Sequence, residues 1–162
     1  MTNLRETKGY TYGVNSGFAY RPLPGPFSAN SGVRTNVTDS SLVELFKELR
    51  AIRDAPVSAE ELARAKAYIT LAVPGDLETT SQIAGEMATL ANWNLPLAYL
   101  REYVARVGAV TTADVQRVAK QYLPAQNAYV VVVGDLARIR SSIDALALGS
   151  VTVRDVSSLV HE

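Results

Sequence analysis

Along the chain the apolar residues fall first at every second position and then at every third and fourth. That change of period separates strand from helix. Tyr10, Tyr12, Val14, Phe18 and Tyr20 alternate with small or polar residues, which predicts a strand entered through a turn at Gly9. Residues 21–26 hold three prolines and Gly25 and read as a loop, because proline fixes its own backbone and removes a donor while glycine permits a tight turn. A second strand begins at Phe27, where Ala29, Ser31, Val33, Thr35 and Val37 alternate with Ser28, Asn30, Gly32, Arg34 and Asn36. It is expected to run antiparallel to the first, with one face partly polar.

Helical spacing then takes over. Ser41 and Glu44 fit a capping box ahead of the stripe Leu42, Leu45, Phe46, Leu49 and Ile52, which ends near residues 54–56. Ser58 and Glu61 fit a second box, with Val57 and Leu62 at staple positions, opening a helix that runs to Val73 and stops before Pro74 and Gly75. A third helix is expected over 77–93, with Ile83, Met87, Leu90 and Ala91 on one face, and a fourth from Pro96 through Tyr99, Leu100, Tyr103, Val104 and Val107. The run of Thr111, Thr112, Ala113 and Asp114 caps a fifth, flanked by Val110 and Val115 and continued by Val118, Ala119 and Tyr122. Residues 127–133 form a β-branched run that predicts a strand buried on both faces, ended by Gly134 and Asp135. A helix over 136–146 and a strand over 150–156 follow. The order predicts an α+β fold, a mostly antiparallel sheet packed on one face by a block of helices, in a single domain over residues 1–162.

Composition narrows the functions open to such a domain. The 162 residues suffice for one core. Lys plus Arg equal Asp plus Glu at 16 each, with no basic stretch interleaved with aromatics, so neither nucleic acid nor an anionic membrane is an expected partner. No run of 18 apolar residues and no signal-type leader is present, so the chain itself carries no address. Cysteine is absent, which removes disulfides and thiolate chemistry. The single histidine, His161, reads as a solvated residue beside the C-terminus. A catalytic zinc site needs three protein ligands on ordered elements, and a serine nucleophile needs a histidine base. No complete catalytic apparatus is expected, and no metal ligand is assigned. Glu60 and Glu61 lie in a first helical turn, where the helix dipole explains them. The turn at Gly134 lacks the spaced glycines of a phosphate loop.

Arg5 and Tyr12 remain. A guanidinium and a phenol held together donate well to a peptide carbonyl and to the charge that grows on it during hydrolysis. The same residues also fit a surface ion pair and a cross-strand contact.

The string Asn3-Leu4-Arg5-Glu6-Thr7-Lys8-Gly9-Tyr10-Thr11-Tyr12-Gly13 resembles the arginine, glycine and tyrosine segment in the non-catalytic domain of pitrilysin and insulinase-type zinc metallopeptidases. Residues 40–44, 57–66, 95–99, 110–116 and 129–135 are similar to that family in the same order. The resemblance implies a processing-peptidase-like domain whose substrate-binding pair is Arg5 and Tyr12. It also implies a C-terminal portion of that domain, since the family has a first strand and helices ahead of the arginine segment. Zinc is then expected in a partner domain bearing His-x-x-Glu-His, with a peptide as the shared substrate, and no cofactor in this chain. Exposed apolar surface is expected to drive self-association. A structural or assembly subunit of the same fold, without a peptidase role, is the alternative.

Overall fold

The computed structural model describes residues 4, 7–21, 23, 25–123 and 128–155. Two strands and six helices follow in order: β1 (Thr11–Phe18), β2 (Phe27–Val33), α1 (Thr38–Asp54), α2 (Ala59–Ala72), α3 (Thr80–Asn92), α4 (Ala98–Ala109), α5 (Thr112–Tyr122) and α6 (Leu136–Ala145). The fold is α+β, as the change of period predicts. Its described sheet is the β1–β2 pair alone. The chain groups into two compact units, Met1–Gly17 with Ser28–Glu48 and Ala128–Glu162, and Phe18–Phe27 with Leu49–Asn127. The chain changes unit at residues 17–18, 27–28, 48–49 and 127–128.

In the first unit the hairpin register is clamped by hydroxyls. Thr11 is buried, and its Oγ1 lies 2.6 Å from the Gly32 carbonyl oxygen while accepting from the Gly13 N–H at 3.1 Å. Ser31 Oγ sits 2.9 Å from both Thr11 Oγ1 and the Gly13 carbonyl oxygen. These bonds join the two strands on the face opposite Tyr10 and Tyr12, because successive side chains alternate across a strand. The second strand stops at Val33, and residues Thr35–Val37 form a 3-10 turn that leads into α1. α6 packs against that turn and buries Ile139.

The Ser41 capping box does not form. Ser41 lies inside α1, and its hydroxyl donates to the Val37 carbonyl four residues back at 2.7 Å. The turn before it starts the helix at Thr38, four residues before Leu42, so the hydroxyl has a carbonyl to satisfy and no free N–H to cap.

In the second unit the caps follow the sequence more closely. Ser58 Oγ accepts from the Glu61 N–H at 3.1 Å and starts α2. Thr111 and Asp114 complete a reciprocal box at α5. Another such box, Thr79 with Gln82, starts α3 and was not among the expected ones. α2 packs on α4, where Lys66 Nζ donates to the Gly108 carbonyl at 2.7 Å. Leu90 and Ala119 are buried, and Phe18 meets Phe27 and the edge of Tyr122 at ring separations of 5.1 and 6.5 Å.

The strands expected over 127–133 and 150–156 are not formed among the described residues, and residues 127 and 156 lie outside these. Residues 128–133 and 150–155 carry no ladder among the described residues, and Tyr129, Val131 and Val133 are 101%, 85% and 89% exposed. A β-branched run supplies strand propensity only, and the ladder needs a second strand alongside.

Candidate functional site

The site is built from the start of β1 and the end of β2. Gly9 adopts a left-handed backbone, φ +61°, that an L side chain rarely takes, and it turns the chain into the strand. The backbone N–H of Arg34 then reaches the Tyr10 carbonyl at 3.4 Å, placing the end of β2 beside the start of β1. Tyr10 and Tyr12 share one strand face by the two-residue period, and Gly32 and Arg34 share the facing edge for the same reason.

Between them lies an open cleft of about 400 Å³, lined by Gly9, Tyr10, Thr11, Tyr12, Gly32, Val33 and Arg34. A methyl group added at Gly9 or at Gly32 would meet nothing within 4 Å, so both glycines leave the cleft unfilled. The Tyr12 ring is 96% exposed, and its hydroxyl has no protein partner among the described residues. Arg34 Nη2 donates to the Gly9 carbonyl at 3.2 Å, which ties the guanidinium to the turn. No carboxylate pairs with it among the described residues, whereas Lys8 lies 4.0 Å from Glu44 and Glu44 is shared with Lys47 at 3.7 Å.

Tyr12 therefore stands where the alternation put it, on an accessible strand face. Arg5 lies outside the described residues, as does His161. Arg34 was not singled out from the sequence. The signal was there in the alternation of the second strand, at whose end Arg34 falls, opposite the turn that precedes Tyr10.

The arrangement offers hydrogen-bond donors to an extended ligand: one free phenol and a guanidinium with most of its N–H groups unspent. It offers no metal ligation. No cluster of three His, Cys, Asp or Glu residues stands among the described residues, and the chain has one histidine and no cysteine. A catalytic zinc needs three such ligands, and the residues lining the cleft do not supply them. No helix among the described residues is long and apolar enough to cross a membrane.

A family model for the peptidase M16 inactive domain matches residues 1–69, the stretch that holds Arg5, Tyr12 and Arg34. No curated protein matches the chain significantly. Among solved structures, the chain is similar to a peptidase M16 inactive domain from Pseudomonas fluorescens, with 26% identity and a TM-score of 0.70 over 77% of this chain. It shares its fold with a protease from Helicobacter pylori at 21% identity and a TM-score of 0.61, over 76% of this chain. The chain spans 30% of the length of each. Over its first 69 residues by sequence, and over about three quarters of its length by fold, the chain is similar to the peptidase M16 inactive domain.

Proposed function

We propose that the chain is a substrate-binding, non-catalytic domain that works with a zinc-bearing catalytic domain in peptide hydrolysis. The observation that carries this reading is the unpartnered, wholly exposed phenol of Tyr12 on an open strand face, within the stretch matched by the M16 inactive domain. An extended peptide laid along that face would accept from the Tyr12 hydroxyl, and the Arg5 guanidinium is the second donor of the pair. Donors that strengthen as charge grows on the scissile carbonyl act on turnover more than on binding. Zinc, held by the partner's His-x-x-Glu-His, supplies the activated water. The exposed valines at 130–133, which carry no ladder among the described residues, favour association of this chain with itself or with that partner.

The test is turnover by the chain combined with a catalytic domain bearing His-x-x-Glu-His. Arg5→Ala and Tyr12→Phe are each expected to lower kcat by about tenfold or more while changing KM less. Unchanged kcat in both variants would overturn the reading and favour a purely structural subunit.

A further inference from the structure

The cleft beside Tyr12 holds a cation that the proposed pair of residues does not use. Arg34 is exposed, yet its guanidinium is oriented, because Nη2 donates to the carbonyl of Gly9, the residue whose left-handed backbone, φ +61°, turns the chain into β1. A guanidinium presents five N–H donors in a planar fork, and one such bond leaves the rest for a ligand. The nearest other cation on this stretch, Lys8, faces the carboxylate of Glu44, so Arg34 is the charge left to the cleft among the described residues. Gly9 and Gly32 add no side chain to fill the space, and the cleft, at about 400 Å³, has room for a small polar group with the backbone it belongs to. Tyr10 and Tyr12 stand alongside, giving an aromatic wall and hydroxyl donors, and no carboxylate lines it among the described residues.

A cation with spare forked donors, neutral donors beside it and no anion among the lining residues is suited to a carboxylate. We infer that this cleft is a carboxylate subsite, in which Arg34 receives a carboxylate of the peptide held along β1, from its C-terminus or from an acidic side chain. The inference rests on the peptide-binding reading above and adds a preference to it. Arg34 acts here as a specificity residue, with no part in the chemistry of hydrolysis.

Fluorescence polarisation with N-terminally labelled peptides of one sequence tests it, using the full chain. One peptide ends in a free carboxylate, one in an amide, and a second pair differs by internal Glu against Gln under an amide end. The wild-type chain is expected to bind one or both carboxylate forms roughly threefold to fivefold more tightly than their neutral counterparts, an advantage that shrinks as salt rises. Arg34→Gln should bind charged and neutral peptides alike, near the wild-type affinity for the neutral ones. Arg34→Lys, which keeps the charge and loses the fork, should retain part of the preference and guards against a folding defect in the first variant. The free-terminus pair and the Glu pair distinguish the two sources of the carboxylate. Equal binding of every peptide by the wild-type chain, or a preference that survives Arg34→Gln, overturns the subsite alone. Binding of no peptide overturns the peptide-binding reading and the subsite with it.

Discussion

At the scale of single residues, the site depends on backbone conformation as much as on donors. Gly9 makes the left-handed turn into β1, and its carbonyl accepts from Arg34. Gly9→Ala meets no steric obstacle in space, so its cost is the left-handed backbone itself, about 1 kcal/mol. It is expected to lower the denaturation midpoint and to weaken peptide binding together, whereas Tyr12→Phe should leave the midpoint unchanged; urea titration of both variants separates the two effects. Gly25 is a stricter case, since a Cβ there would run into the Ala19 carbonyl oxygen at the hairpin end. Asp114 gives a residue-level pH dependence. The Thr111 hydroxyl and backbone N–H, with Arg117 beside them, hold its carboxyl below the ordinary value of 3.8. A depressed carboxyl stabilises the fold fully above that ordinary value and loses its contribution as pH falls below it through the folded value. The effect is small, because the group is solvated, and Asp114→Asn is expected to flatten that part of the acid melt read by far-UV circular dichroism. Tyr12 was legible in the alternation of the first strand. Arg34 was not, because its place depends on Tyr10 and Gly9, more than twenty positions away.

At the scale of elements, what was local was legible and what was not local was missed. The caps at Ser58 and Thr111 follow from three-residue spacings, and a helix forms its bonds within itself. Thr79 with Gln82 has the same chemistry with glutamine in place of an acid, and Thr79→Ala is expected to cost about 1 kcal/mol of stability, measured by chemical denaturation. Ser41 shows how such a signal fails: the same hydroxyl serves an N-terminal cap or a carbonyl four residues back, and the preceding 3-10 turn decides between them. The valine run at 128–133 predicts a buried strand, yet its alternate side chains stand in solvent, because strand pairing is decided by a partner elsewhere. Exposed β-branched backbone without a ladder invites intermolecular pairing. Val131→Lys is therefore expected to reduce self-association, seen as a lower weight-average mass in sedimentation equilibrium at matched concentration, without shifting the helical signal.

At the scale of the whole molecule, the α+β class and the similarity of the first 69 residues to the peptidase M16 inactive domain were legible in the sequence, while the extent of the sheet was not. The matched family stretch holds the hairpin and α1, and the fold similarity extends over 77% of the chain at 30% of the relative's length. The central claim is that this chain binds peptide through Tyr12 and does not cut it. Titration of a labelled, extended peptide with the purified chain, followed by mass analysis of the recovered peptide, tests both halves at once. The expected result is saturable binding, weakened about fivefold by Tyr12→Phe as for one lost hydrogen bond, with the peptide intact. Binding unaffected by Tyr12→Phe, or chelator-sensitive cleavage by the purified chain, would contradict it.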